Sequence, residues 1–349
     1  MASTPLAEPS PAHEGYERLE QALERYRGIA GRGEPEPVPP GPSLELGAEG
    51  ERVAALRARL AAAAEAEAAE PLPETEFPEV FDATLEEAVR AFQERHGLLA
   101  DGIAGAATLT ELNRTAEDQI RKIEVNLERW GRMPADLGER HILVNIAAFR
   151  LDAIEDGRSV LDMRVIVGRT DTRTPIVSSA IEHVVLNPSW YVPRSIASKE
   201  IWPKGRSYLQ RNGFEVLPDG KLRQRPGENN SLGRVKFRFP NPFGVYLHDT
   251  PSRSLFDRTV RALSHGCVRL ERPADLAAWV LRDDPQWSPE AIQDALDSGR
   301  ERAVALSEPI PVHIAYWTAW VDDHGTLWFG QDIYDQDREL TSSMETGLR

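Results

Sequence analysis

At 349 residues, 41% of them hydrophobic, the chain is long enough for two packed domains and too apolar to be disordered throughout. Its net charge of −15 is uneven: residues 1–120 hold 24 Asp/Glu against 10 Arg and no Lys, or −14, which leaves −1 for the remainder. Without a basic face to meet phosphates, nucleic acid is excluded as a partner, and no run of about 18 apolar residues offers a membrane-spanning helix. The plainest meaning of the acidic half is solubility. The opening residues, Met1 to Pro11, lack the basic and apolar regions of a secretory signal.

In chain order, Tyr16, Leu19, Leu23 and Tyr26 form a helical stripe at 3–4 spacing. Residues 31–42 are rich in Pro and Gly and read as a semi-rigid linker. A helical unit follows from Leu44 to Asn113. Val53, Leu56 and Leu60 mark one helix; Leu85, Ala88, Val89 and Phe92 mark another, with Thr84 and Glu87 as a capping box and Gly97 as its stop. With no second ligand motif nearby, His96 reads as a capping or surface histidine. Residues 61–78 are rich in Ala, Glu and Pro. A further helix carries Ile120, Ile123, Leu127 and Trp130 and stops at Gly131.

Alternation then takes over: Ile142, Val144 and Ile146; Met163, Val165 and Val167; Val184 and Leu186; Val235, Phe237 and Phe239. Two helices follow, one marked by Leu276, Trp279 and Val280. The other opens on Ser288-Pro289, an N-cap with proline at the first helical position. Val312 to Tyr334 returns to strands, with 322–325 as a hairpin turn. The expected fold class is α+β multidomain: a small three-helix domain, then a mixed β domain with packed helices.

The single cysteine sits in Ser264-His265-Gly266-Cys267-Val268-Arg269, and His248 precedes it by 19 residues. One thiol forms no internal disulfide and is too few for a structural zinc cluster. Isolated cysteines are commonly buried and inert, but these neighbours favour a nucleophile. Gly266 lets the backbone pass close to another group, and free N–H groups around such a turn can hold an oxyanion. A thiol with a pKa near about 8.5 needs a base or a positive charge beside it, and His248 and His265 are the candidates.

His248, fifteen residues, then Ser-His-Gly-Cys-Val-Arg resembles the signature of the L,D-transpeptidases of bacterial cell walls, the YkuD-type catalytic domain. The stretch Val165 to Pro175 resembles the strand and turn that open that domain's sheet, and Leu186 to Pro193 its substrate-facing strand end. The similarity runs from about Gln119 to Asp335, nearest to the large branch with an insert before the catalytic histidine. Ala88 to Gly105 resembles the peptidoglycan-binding helical domain of wall enzymes. The resemblance divides the chain into 1–43 (helix and linker), 44–115 (peptidoglycan-binding-like), 116–340 (a β-sandwich-like catalytic domain) and, inside the last, 195–232 as a lid. Residues 195–240 hold 10 Lys/Arg against 4 Asp/Glu, a charge that attracts stem-peptide carboxylates or simply solvates a loop.

The resemblance implies acyl transfer through a thioester. Cys267 attacks, His248 is the base, and the backbone carbonyl of Asp249 orients it. Backbone N–H groups at Gly266 and Cys267 form the oxyanion hole, and His265 shapes the thiolate's surroundings. Ser264 orients its neighbours, Arg269 anchors the turn or a substrate carboxylate, and Trp190 and Tyr246 line the groove. It implies 3-3 cross-linking with release of D-Ala and no cofactor or metal. The implied partners are donor and acceptor stems, other wall enzymes, and carbapenem-type inhibitors at Cys267. It also implies a periplasmic location, reached by a targeting segment since removed.

Several alternatives stay open. Water as acceptor gives an L,D-carboxypeptidase or endopeptidase, and a lipoprotein lysine gives an anchoring enzyme. A non-catalytic wall-binding scaffold would bury an inert Cys267. A sortase-like enzyme is disfavoured by the tight His-Gly-Cys-x-Arg cluster, and metal hydrolysis by the lack of H-E-x-x-H or H-x-x-E-H spacing.

Overall fold

The computed structural model describes residues 13–345; the opening stretch read above for a targeting signal lies outside them. Five helices come first: α1 (Glu14–Arg32), α2 (Glu51–Glu67), α3 (Ala83–Arg95), α4 (Ala106–Leu112) and α5 (Ala116–Trp130). Strands β1 (Arg140–Asn145), β2 (Arg150–Glu155), β3 (Arg158–Gly168), β4 (Val177–Leu186) and β5 (Trp190–Tyr191) follow. The insert holds α6 (Arg194–Ile196), a π-helical turn at Ala197–Ile201, a 3-10 turn at Trp202–Lys204, α7 (Gly205–Arg211), β6 (Phe214–Val216) and β7 (Leu222–Gln224). Then come β8 (Val235–Arg238), β9 (Leu247–His248), β10 (Ala262–Ser264) and β11 (Val268–Leu270). The chain continues with α8 (Pro273–Leu281), α9 (Pro289–Asp297), β12 (Arg302–Ala315), β13 (Ala319–Val321), β14 (Leu327–Phe329) and α10 (Gln336–Glu345). It divides into two compact units, Leu137–Ala315 and the described residues on either side of it.

In the helical unit, Leu19, Leu23 and Tyr26 of the α1 stripe are buried. Val53, Leu56, Leu60, Leu85, Val89, Phe92, Leu109 and Leu112 join α2, α3 and α4 in one core. The start of α3 differs from the expectation: Asp82, not Thr84, is its N-cap, because its carboxylate accepts the Leu85 N–H at 2.8 Å. A capping box does occur, at Thr115 and Asp118 of α5. The Pro-rich stretch is tied down rather than loose, since Asn113 accepts from Val38 N–H at 2.9 Å and donates to its carbonyl at 3.0 Å. His96 does follow α3 directly, but its ring is buried, with Nε2 2.8 Å from Glu67. The surface expectation therefore fails, because two carboxylates neutralise a buried imidazole better than water reached at a distance. The hairpin β13–β14 turns through 322–325 as expected, with Trp320 opposite Trp328.

In the other unit, strands run in the order β10-β3-β11-β9-β8-β4-β12-β1-β2, and a further β2–β3 pairing closes the sheet on itself. β1 pairs parallel to β12 and β11 parallel to β9; most of the other pairs are antiparallel. Val235, Phe237, Leu247, Val268 and Leu270 are buried, and the alternation read from the sequence sends their neighbours to the opposite face. Ser288 caps α9 by accepting the Ala291 N–H at 3.2 Å. The insert has its own three-stranded sheet, β5-β7-β6, and its own core of Trp190, Ile201, Leu209, Phe214, Leu222 and Leu232. That separate core makes it a small packed body rather than a floppy loop.

Candidate active site

Cys267 lies in the short loop between β10 and β11 and is partly exposed. Gly266 before it has φ +110°, a conformation costly for any side chain, and a Cβ there would also meet the Arg173 carbonyl at 3.4 Å. The turn after β3 buttresses this loop. Thr174 Oγ1 accepts the Gly168 N–H at 2.8 Å and donates to the Gly266 carbonyl at 2.9 Å. Thr172 Oγ1 and the Arg169 N–H both reach the Ser264 carbonyl, at 3.1 and 3.0 Å. The turn folds so tightly that a Cβ on Gly168 would sit 2.1 Å from the Thr172 oxygen. Ser264 Oγ donates to the Cys267 carbonyl at 2.5 Å and accepts the Gly266 N–H at 3.1 Å. Ser264 thus ties the two sides of the loop together and occupies the Gly266 N–H expected in an oxyanion hole, leaving the N–H of Cys267 as the loop's candidate donor.

Strand register sets what faces the thiol. Leu247 aligns with Val268 and His248 with Arg269, so Tyr246 falls beside Cys267. Tyr246 packs against the core of the insert that holds Trp190, and burial, with the neighbouring thiol, pushes its phenol well up. Lys236 on β8 lies opposite His248, and its Nζ stands 3.7 Å from the centroid of the Tyr246 ring. Burial pushes the Cys267 thiol up, while Tyr246, Lys236 and Arg269 pull it down without fully compensating. The resting cysteine is therefore a neutral thiol.

His248 is buried, and its Nδ1 is 2.5 Å from the Asp249 carbonyl oxygen. Burial, with the nearby cations Arg269 and Lys236, depresses the imidazole to about 3 against the pull of the Asp249 and Leu232 carbonyls. It is neutral at physiological pH and able to accept a proton. Among the described residues no hydrogen bond joins His248 to Cys267 in this state; His248 pairs with Arg269, two residues beyond the cysteine. The carboxylate of Asp249 has a separate task, accepting from Arg234 N–H, Thr250 N–H and Arg253 at 2.8, 2.6 and 2.7 Å.

Arg269 lies beside the thiol and is largely buried, with its Nε unpartnered. His265 Nε2 meets Glu200 of the insert at 2.6 Å. Tyr246, His248, Ser264, Gly266 and Arg269 thus lie around Cys267, with Asp249 on His248 and Trp190 in the core that Tyr246 packs against. The sequence reading missed three contributors: Lys236, Thr174 and Glu200. Lys236 could have been found, because Val235, Phe237 and Phe239 are core residues and alternation puts residue 236 on the face of His248. Glu200 had no such signal. Among the described residues no group of three or more His, Cys, Asp or Glu is arranged to hold a metal ion, and no helix is long and apolar enough to cross a membrane.

A closed mixed sheet that presents a glycine-positioned cysteine beside a neutral, carbonyl-oriented histidine defines a cysteine–histidine site. Residues 139–292 match the family model of the L,D-transpeptidase catalytic domain, YkuD, and residues 49–112 match that described as "Putative peptidoglycan binding domain". A curated relative from Haemophilus influenzae, named "Putative L,D-transpeptidase", is 32% identical over 243 residues, 63% of this chain and 49% of the relative. The chain thus spans about half the length of the curated relative it matches. The solved L,D-transpeptidase from Xylanimonas cellulosilytica (residues 123–326) is 19% identical over 80% of this chain and 100% of its own, with a TM-score of 0.26. L,D-transpeptidase 3 from Mycobacterium tuberculosis, solved in complex with a faropenem-derived adduct, is 18% identical over 51% of this chain and 60% of its own, with a TM-score of 0.27. The protein carries an L,D-transpeptidase catalytic domain of the YkuD family and, N-terminal to it, a domain of the peptidoglycan-binding family.

Proposed function

We propose that the protein forms 3-3 cross-links in peptidoglycan through an acyl-enzyme on Cys267. The sulfur attacks the carbonyl of the third residue in a tetrapeptide stem, and His248 takes the thiol proton. Collapse of the tetrahedral intermediate breaks the bond to the terminal D-Ala, whose amine leaves with the proton returned by His248. The amine of a second stem then attacks the thioester, restores the thiol and completes the new amide. The observation that carries this reading is the state of His248. It is held neutral, its Nδ1 lies on a backbone carbonyl, and its strand is paired with that of the cysteine. With Nδ1 on the Asp249 carbonyl, Nε2 is the nitrogen that takes the proton.

The other roles follow from the same neighbourhood. The N–H of Cys267 holds the oxyanion, and Arg269, with its unpartnered Nε, takes a stem carboxylate. The insert at 195–232 acts as a basic lid, and the 49–112 domain docks the enzyme on the wall. Such chemistry belongs outside the cytoplasm, where the stems are. Carbapenem-type β-lactams acylate Cys267. The test is mass spectrometry of purified tetrapeptide stems after incubation with the protein. A dimer formed with loss of one D-Ala, absent with Cys267→Ala, supports transpeptidation. Tripeptide alone replaces it with hydrolysis of the same acyl-enzyme, and unchanged stems overturn it.

A further inference from the structure

We propose that Lys236 is an activating residue for Cys267, holding its ammonium on the Tyr246 ring so that the thiol ionises beside a fixed positive charge. The inference rests on Cys267 being the nucleophile. It begins with alternation. Residues paired across β8, β9 and β11 share a face, so Lys236, Tyr246, His248, Cys267 and Arg269 lie on one side of the sheet. Phe237, Leu247 and Val268 fill the core on the other. On the site face Lys236 is half-buried, and among the described residues it forms no ion pair. A desolvated ammonium without a carboxylate partner is costly unless another group offsets it. Here the Tyr246 ring offsets part of that cost, with its centroid 3.7 Å from Nζ. Glu301 acts on the ammonium from a distance, and a closer negative charge appears when the Cys267 thiol ionises. Tyr246 falls in register beside Cys267, so the ring that carries the ammonium also places it next to the sulfur.

The other charged groups around the thiol leave this task open. Arg269 also faces the sulfur, but Arg169 and Glu200 act on it from either sign. His265 is engaged by Glu200, and His248 is neutral. Arg238 lies along the same strand as Lys236 and pushes its proton off, whereas Glu301 and a thiolate at Cys267 hold it on. Burial lowers Lys236 itself.

The pH dependence of iodoacetamide alkylation of Cys267, followed by intact mass on the full chain, tests this without any wall substrate. In Lys236→Met the midpoint is expected to rise by about one unit, with alkylation at pH 7 slowed about tenfold and the alkaline plateau unchanged. Lys236→Arg, which keeps the charge, recovers most of the loss. Lys236→Gln serves in place of the methionine variant if that variant melts early. An unchanged midpoint in a folded, uncharged variant overturns the proposal, as does an arginine variant as slow as the methionine one. A parent thiol inert at every pH overturns it together with the nucleophile reading. A Lys236-dependent thiol in a protein that joins no stems leaves it standing while the cross-linking reading falls.

Discussion

Two buried polar clusters, one in each unit, handle charge in opposite ways. In the helical unit the His96 ring is stacked 4.0 Å from Phe92 and tilted 5.1 Å from Phe329, between Glu67 on Nε2 and Glu111 on Nδ1. Glu67 also takes Arg95 at 2.7 Å, and Glu111 takes Arg114 at 2.6 Å. Every charge there has a partner, so the network binds helices together and has nothing left over for a ligand. Around Cys267 the balance is broken: among the described residues Lys236 lacks an ion pair and Arg269 keeps an unpartnered Nε, and the thiol and imidazole between them are neutral. A matched cluster builds a fold, and a mismatched one stores a preference for a charge that only chemistry creates.

The largest expected effect breaks the mismatched side. Cys267→Ala abolishes dimer formation from tetrapeptide stems while the melting temperature stays near that of the parent; turnover by this variant would remove the thioester. Glu67→Leu strikes the matched side. It leaves His96 and Arg95 facing an apolar group and is expected to cost roughly 3–5 kcal/mol in denaturant unfolding of the helical unit. A loss below about 1 kcal/mol would put this pair among surface-type ion pairs.

A smaller effect is one of pH. Although burial pushes His96 down, Glu67 and Glu111 raise it above its ordinary value overall. Its contribution to stability is therefore complete below the unfolded pKa of about 6.5 and is lost as pH rises through the folded one. Hydrogen exchange of α3 amides should speed up on that alkaline side, and His96→Gln should flatten the dependence. The smallest effect sits where the insert meets the cysteine loop. The His265–Glu200 pair is partly exposed, so Glu200→Gln should weaken it by about 0.2–1 kcal/mol, seen as a KM raised a few-fold with kcat nearly kept. A fall in kcat alone would instead give Glu200 a part in the bond-making steps.

Local patterns made much of this legible. The α1 and α3 stripes, the Ser288 cap, the strand alternation and the hairpin at 322–325 are each written in a few adjacent residues. Asp82 was missed as a cap because Thr84 offered an equally good local signal, and only the direction of the Leu85 N–H separates them. His96 was misread because its neutralising carboxylates come from α2 and α4, distant in sequence. The π-helical turn that carries Glu200 to His265 has no periodic signature at all.

The sequence by itself marked Cys267, His248 and the glycine loop that the structure brings together, because glycine conformation and period-2 burial act over a few bonds. It also marked the helical unit, whose buried stripes recur every three to four residues. Tertiary structure alone decided that the chain after Ala315 returns to the unit of the first helices, and that the sheet closes through β2 and β3. It also decided that Ser264 occupies the Gly266 N–H and that Lys236 stands over Tyr246. These depend on which strands become neighbours. Strand neighbours are chosen by the burial of whole faces, a sum over the domain that no short stretch of residues contains.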